Sequence, residues 1–112
     1  VPFMNSCYGG LLIEQCYGGK FESTSAQHGE MMTLNIHYSY RPVMTNVTIR
    51  YCLFDYVIAT GGIMMSASNV RIYGNVFYRG YPALPYYGQA AVGCWTGSLG
   101  TDCLIYNNSF II

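Results

Sequence analysis

The sequence predicts an all-β fold in which short parallel strands stack as a solenoid. Three segments align without gaps, and they span residues 46–54, 69–77 and 102–110. In each of them apolar residues alternate with residues of mixed polarity, and a period of two residues indicates a β-strand. Strand segments that recur along a chain, with Gly and Asn at the bends between them, are typical of repeat architectures.

A weaker first copy of the repeat lies at residues 10–16, so the four copies begin 36, 23 and 33 residues apart. A second kind of segment precedes these copies. Residues 27–33 resemble residues 60–66, and residues 89–94 are a looser match.

Inward positions of the aligned strands form three columns in which like residues stack on like. Strands in neighbouring coils lie about 4.8 Å apart, so each apolar side chain should contact its counterpart in the next coil. These columns are the predicted core. The first contains Leu11, Val47, Val70 and Cys103, the second Ile13, Ile49, Ile72 and Ile105, and the third Phe54, Phe77 and Phe110.

The corner that follows each strand carries Cys16, Cys52, Asn75 or Asn108. An inward Asn at a corner can bond turn amides that would otherwise be buried without partners, so Asn75 and Asn108 are predicted to form a short amide ladder. Cys16 and Cys52 occupy equivalent corners of neighbouring coils, within the range of a disulfide. The alternative is two thiols that pack as small apolar groups.

The spacing of the cysteines and histidines does not predict a metal site. The five cysteines are Cys7, Cys16, Cys52, Cys94 and Cys103. An odd number leaves at least one thiol unpaired within a monomer, and the sequence does not fix the pairing. There is no CxxC motif, and neither histidine is close to a cysteine in the sequence, so we predict no structural zinc. No other metal and no cofactor is predicted.

The segments NVTIRYCLF, NVRIYGNVF and CLIYNNSFI resemble the right-handed parallel β-helix superfamily, which has the pectate-lyase-like fold. The resemblance covers most of residues 28–112. It implies one all-β domain, residues 1–112, made of about three to four coils of a right-handed parallel β-helix. It also implies a carbohydrate-associated function, although many functions share this scaffold. The acidic cluster with which lyases of this fold bind calcium is absent from the sequence.

A row of outward positions on the aligned strands holds Glu14, Arg50, Tyr73 and Tyr106. This order predicts an ion pair between Glu14 and Arg50, with Arg50 beside a stack of the two tyrosine rings. As a functional site, the row is a saccharide platform in which rings stack on sugars and an arginine binds a carboxylate. As structure, it is cross-strand packing on an exposed sheet. The predicted substrate-binding residues are Arg71, Tyr73, Tyr106 and Trp95.

His28 and Glu30 are the candidate proton-transfer residues, because the alignment sets them opposite Gly61 and Ile63 of the other copy. Cleavage of an acidic polysaccharide by β-elimination needs a base and a cation that neutralises the uronate. The predicted catalytic residues are His28 or Glu30 as the base and Arg50 as the cation, with Arg41 and Lys20 as alternatives for the cation. Glycoside hydrolysis would instead need two carboxylates at a defined separation, and the alternative to catalysis is that His28 and Glu30 cap a turn.

Charged residues make up only 9% of the chain, five basic and five acidic, and the net charge is zero. Binding to nucleic acid or to an anionic membrane surface needs clustered Lys and Arg, so we expect neither partner. No apolar run approaches the roughly 18 residues that span a bilayer. A polysaccharide partner predicts an extracellular or cell-surface location.

The alternative function is structural. Neither residues 1–4 nor residues 111–112 offer a cap, and an uncapped solenoid exposes unpaired edges. We therefore expect the ends to be continued by further coils of a longer chain or to meet a partner. The second case predicts a homo-oligomer or an end-to-end assembly such as a fibre.

Overall fold

The computed structural model describes residues 4–5, 10–22, 30–34, 44–58, 61–65, 67–78, 90–94 and 102–111. Within these ranges the chain forms β-strands and no helix, so the fold is all-β, as predicted. The described strands are β1 (Met4–Asn5), β2 (Leu11–Glu14), β3 (Tyr17–Glu22), β4 (Glu30–Leu34), β5 (Thr45–Arg50), β6 (Leu53–Ile58), β7 (Gly61–Met65), β8 (Ser68–Tyr73), β9 (Val76–Tyr78), β10 (Ala90–Cys94), β11 (Cys103–Tyr106) and β12 (Ser109–Ile111).

The strands form three four-stranded sheets, and every described strand pair is parallel. The first sheet has the order β1-β4-β7-β10, the second β11-β8-β5-β2 and the third β12-β9-β6-β3. Each sheet therefore receives every third strand of the chain. Parallel neighbours need a long crossover connection, and here the two intervening strands, which belong to the other two sheets, are part of it.

The second sheet confirms the alignment of the repeat. The predicted valine and isoleucine columns are both present, residue for residue. The two central strands, β5 and β8, bury Val47, Ile49, Val70 and Ile72 completely. A slip of one residue would turn these side chains to solvent, so the buried columns exclude such a slip in this sheet.

The third sheet carries the predicted phenylalanine column. Phe54, Phe77 and Phe110 pair in register, and their successive ring centroids are 5.0 Å and 5.2 Å apart. Phe54 and Phe77 are buried, whereas Phe110, in the edge strand β12, is 53% exposed. Gly18 of β3 lies opposite Phe54, so the aromatic column starts at β6.

In the first sheet, the predicted alignment of residues 27–33 with residues 60–66 is wrong by two residues. Glu30 pairs with Gly61, and Met32 pairs with Ile63, whereas the sequence comparison set Glu30 opposite Ile63. Met32 and Ile63 are both buried. The predicted register would have set a carboxylate against a fully buried position, and burying an unpaired charge is costly. A shift of two residues keeps the inward and outward alternation, so alternation alone does not detect it.

Positive φ angles recur at two positions of the repeat. The first position, at the start of the second-sheet segments, holds Asn46, Asn69 and Asp102. The second position, at the junction between the second and third sheets, holds Gln15, Tyr51, Gly74 and Asn107. Asn, Asp and Gly reach this left-handed conformation most readily. Tyr51 and Gln15 do not share that preference, so the bend between the two sheets imposes the conformation on them.

Candidate functional site

The outward face of the second sheet carries most of the predicted binding residues. Arg50 pairs with Glu14 on one side and with Tyr73 on the other, and Tyr73 pairs with Tyr106. These four residues, which we call the outer row, cross the sheet from β2 to β11. The row beside it consists of Leu12, Thr48, Arg71 and Leu104.

Arg50 is held on both sides within the outer row. Its Nε and Nη2 atoms lie 2.9 Å and 2.8 Å from Oε2 of Glu14, and its Nη1 donates to the hydroxyl oxygen of Tyr73 over 2.9 Å. The hydrogen bonds with Tyr73 and Glu14 raise the pKa of Arg50 above its ordinary value. The guanidinium carbon also lies 5.6 Å from the ring centroid of Tyr51, within cation–π range.

This arrangement leaves Arg50 little freedom to bind a ligand. All three of its nitrogen atoms have a partner, and its charge is paired with the carboxylate of Glu14. A uronate that approached Arg50 would meet N–H donors that are partly engaged and a charge that Glu14 already neutralises. The geometry is that of a positioning residue, which fixes the hydroxyl of Tyr73.

Tyr73 and Tyr106 stack face to face, with ring centroids 4.9 Å apart and an interplanar angle of 10°. Tyr51 meets Tyr73 edge-on, with centroids 5.7 Å apart and planes at 86°. Tyr106 lies in the edge strand β11, so no strand among the described residues covers the second face of its ring. An uncovered aromatic face is a binding surface for apolar CH groups.

Arg71 makes no ion pair with a carboxylate in the described part of the chain. Its Nη1 donates to the carbonyl oxygens of Val70 and Asp102 over 3.2 Å and 3.0 Å. These bonds hold Nη1 of Arg71 between β8 and the residue that precedes β11. Leu104 of β11 pairs with Arg71. The surface formed by Arg71, Tyr73, Leu104 and Tyr106 is called the β8–β11 patch below.

The predicted catalytic residues lie only partly within the described structure. Glu30 lies in β4 of the first sheet, and Arg50 lies in β5 of the second sheet. Only the backbone of Glu30 is described, and His28 and Trp95 lie outside the described residues. The predicted site residues that the structure brings together on one sheet face are Arg50, Arg71, Tyr73 and Tyr106.

A buried amide ladder supports the junction between the second and third sheets. Asn75 is 1% exposed. Its Oδ1 accepts from the amide of Cys52 over 2.9 Å, and its Nδ2 donates over 3.0 Å to the carbonyl of Ile49 and to Oδ1 of Asn108. Asn108 in turn accepts from the amide of Asn75 and donates to the carbonyl of Ile72. The predicted ladder is confirmed, and each Asn binds the backbone of the preceding repeat.

Two polar contacts on the outer surface were not predicted from the sequence. Tyr17 donates its hydroxyl to Oδ2 of Asp55 over 3.2 Å, and desolvation, with the negative charge of Asp55, raises the pKa of Tyr17. Asn69 donates its side-chain amide to Oδ1 of Asn46. The recurrence of Asn at the first residue of two aligned segments signals the second contact. The first has no such signal, because Tyr17 and Asp55 occupy different positions of the repeat.

No group of three or more His, Cys, Asp or Glu residues in the described ranges is arranged to hold a metal ion. The same ranges contain no helix that is long and apolar enough to cross a membrane.

Comparison with known proteins gives no match. No protein-family model matches the chain, and neither a curated protein nor a solved structure is significantly similar to it. The chemistry of the described side chains is therefore the basis for a functional proposal.

Proposed function

We propose that the three sheets are the faces of a right-handed parallel β-helix, similar to the pectate-lyase-like superfamily. In this arrangement each coil contributes one strand to each sheet, which fits the rotation of the chain through the three sheets. The columns of valine, isoleucine and phenylalanine are the core that stacked coils bury. Residues 1–112 are a single domain in this proposal.

The function that the geometry supports best is binding of an acidic polysaccharide at the β8–β11 patch. The observation that carries it is the position of Arg71, which is not paired with a described carboxylate and lies beside the Tyr73–Tyr106 stack. A uronate presents a carboxylate next to the CH face of a pyranose ring. Arginine binds carboxylates through several N–H donors, and Tyr106 offers an uncovered aromatic face in the edge strand β11.

The remaining members of the outer row have a supporting role in this proposal. Glu14 pairs with Arg50, and Arg50 fixes the hydroxyl of Tyr73, so the aromatic stack is held in one orientation before a ligand arrives. Preorganisation of this kind reduces the entropy lost on binding. Such a ligand implies an extracellular or cell-surface location.

The enzymatic form of the proposal is a polysaccharide lyase or a glycoside hydrolase. In a lyase, His28 or Glu30 removes the carbon-bound proton, and an arginine neutralises the uronate. Arg71 suits the second role better than Arg50, because no carboxylate of the described residues neutralises its charge.

Binding is tested by affinity electrophoresis through gels that contain a polyuronate such as polygalacturonate or alginate. We expect wild-type migration to be retarded, and we expect Arg71→Gln to weaken binding by roughly tenfold or more, the effect of losing a charge-assisted contact. A neutral glucan in the gel should not retard the protein.

The sheet provides a matched pair of control variants. Leu12 and Leu104 occupy the same row at opposite edges of the second sheet, and they are 54% and 52% exposed. Leu104→Ala should weaken retardation, and Leu12→Ala should leave it unchanged. Equal effects of the two substitutions, or wild-type migration that no polyuronate changes, would refute binding at the β8–β11 patch.

Cleavage is tested with the same polyuronates by following the ultraviolet absorbance of unsaturated products. A lyase loses this signal in His28→Ala or Glu30→Ala while retardation in the gel persists. Binding without product from the wild-type protein would restrict the function to recognition.

A second candidate function, end-to-end assembly, is favoured by the exposure of β11 and β12. Ile105 and Phe110 are 45% and 53% exposed, although their register partners Ile72 and Phe77 are fully buried. Both belong to the inward columns, and exposed apolar edge strands are sites of strand addition. The occupant that we propose is the β2–β3 edge of a second copy, where partly buried Ile13 would extend the isoleucine column.

Sedimentation at increasing protein concentration and electron microscopy test this assembly. We expect Phe110→Asp to abolish association, because it introduces a charge into the inward column. Ile111→Asp is the control, since Ile111 is similarly exposed and alternates with Phe110 in β12. A wild-type protein that remains monomeric at high concentration would contradict end-to-end assembly and would leave the polysaccharide proposal intact.

A further inference from the structure

Cys16 and Cys52 lie opposite each other at the junction between the second and third sheets. Glu14 pairs with Arg50 before the junction, and Tyr17 pairs with Leu53 after it. Within the junction, the amide of Leu53 donates to the carbonyl of Cys16 over 3.0 Å. The two cysteines are therefore in register on neighbouring repeats, where stacked Cα atoms lie about 4.8 Å apart, inside the range of a disulfide.

The two thiols point the same way. The Sγ of Cys16 lies 3.2 Å from the carbonyl oxygen of Glu14, and the Sγ of Cys52 lies 3.2 Å from that of Arg50, in each case two residues earlier. The Sγ of Cys52 also lies 3.8 Å from the carbonyl oxygen of Ile13. The sulfur of Cys52 thus leans toward the repeat that contains Cys16.

The cysteines replace the amide ladder at one step of the junction. Asn75 accepts a hydrogen bond from the amide of Cys52, whereas Cys52 has no comparable acceptor to offer the amide of Cys16. Its thiol approaches the Ile13 carbonyl only at 3.8 Å, where Asn75 donates to the Ile49 carbonyl at 3.0 Å. Cysteine therefore forms weaker hydrogen bonds at this corner than asparagine does. Two stacked thiols can instead form a disulfide.

The two thiols differ in their exposure to solvent, and this difference sets the order of a two-step oxidation. Cys16 is exposed, and Cys52 is only 2% exposed. Burial, together with the neighbouring Cys16, raises the pKa of the Cys52 thiol. An external reagent therefore meets Cys16 first, and Cys52 is held against it as the resolving thiol.

We infer that Cys16 and Cys52 are a redox-active pair that closes to an intramolecular disulfide in the presence of a small-molecule disulfide. The thiolate of Cys16 attacks the reagent, which forms a mixed disulfide and releases one thiol. The thiolate of Cys52 then attacks Sγ of Cys16, which forms the Cys16–Cys52 bond and releases the second thiol. Two protein thiols are oxidised, and one external disulfide is reduced to two thiols.

The bond would join the first strands of the second and third sheets to the rest of the molecule. It closes the loop from residue 16 to residue 52, and closing such a loop restricts the unfolded chain. Leu11 and Ile13 are only partly buried at this edge, so the edge depends less on packing than the centre does. The inference does not depend on the proposed carbohydrate function.

The test titrates the full chain with oxidised glutathione and follows intact mass and peptide maps under non-reducing conditions. We expect the wild-type protein to lose two hydrogen atoms, to yield a linked pair of peptides that contain Cys16 and Cys52, and to unfold at a higher temperature. Dithiothreitol should reverse all three changes.

Single-thiol variants separate the two steps. Cys52→Ser should accumulate glutathione on Cys16, because the resolving thiol is missing, and Cys16→Ser should leave Cys52 unmodified. Cys103→Ser is the control, and it should behave as the wild-type protein does. The inference is overturned if wild-type Cys16 retains glutathione as Cys52→Ser does, or if the linked peptides contain another pair of cysteines. Peptide mapping of the wild-type protein decides between these outcomes even if a variant fails to fold.

Discussion

The amide of Asn75 is the polar group on which the junction depends most. In Asn75→Ala, the amide of Cys52 loses its acceptor at 2.9 Å and the carbonyl of Ile49 loses its donor at 3.0 Å. Each buried group left without a partner costs about 1–3 kcal/mol. Two such groups give an expected loss of about 2–6 kcal/mol, and a whole domain has a stability of about 5–15 kcal/mol.

Urea unfolding followed by circular dichroism measures this loss as a lower midpoint at an unchanged slope. Asn108→Ala is the matched control. Asn108 makes the same bonds with the amide of Asn75 and the carbonyl of Ile72, but it is only partly buried, close to the edge strands. Water can replace its bonds there, so we expect a loss of about 1–2 kcal/mol.

The two variants together test whether burial makes the missing hydrogen bonds costly. If burial makes the missing bonds costly, Asn75→Ala must be clearly less stable than Asn108→Ala. Equal losses, or a loss below about 1 kcal/mol for Asn75→Ala, would show that the ladder contributes little to stability.

Three further predictions concern the same junction. In reducing buffer, Cys52→Asn should raise stability by about 1 kcal/mol in urea unfolding, because it extends the ladder of Asn75 by one step; a lower midpoint would contradict this. Gly74→Ala should lower the stability by about 2 kcal/mol in urea unfolding, since Gly74 has φ of 66° and an added Cβ would lie 2.7 Å from the Tyr51 ring. Gly10→Ala is the control and should be nearly neutral, because its Cβ would make an ordinary contact at 3.5 Å. Burial raises the pKa of the Cys52 thiol above its ordinary value of 9.0. The stability that the protonated thiol contributes is complete below that pH and is lost as the pH rises through the folded-state pKa. In alkali, the unfolding temperature should therefore fall more steeply for the wild-type protein than for Cys52→Asn.

The candidate site divides into a part that could be read from the sequence and a part that could not. The repeat aligns Glu14, Arg50, Tyr73 and Tyr106, so their proximity could be predicted, and it is observed. The hydrogen bonds of Arg50 could not be predicted, because alignment gives neighbours and not side-chain conformations. Those bonds shift the proposed cationic role to Arg71, which lies in the adjacent row.

The sequence by itself determined the strands, the parallel pairing of the second and third sheets and the three inward columns. It could do so because a slip of one residue would expose positions such as Val47 and Phe77, and because the aligned copies repeat the same residue types, with Val opposite Val, Ile opposite Ile and Phe opposite Phe.

The tertiary structure decided what that pattern leaves open. In the first sheet, a slip of two residues keeps the same faces, and only the packing of Met32 on Ile63 selects the register. The left-handed conformation of Tyr51 also follows from the bend between two sheets and not from residue preference. Alternation depends only on neighbours along the chain. A slip of two residues is excluded, and the partners of Arg50 are selected, by side chains that only the folded chain brings together.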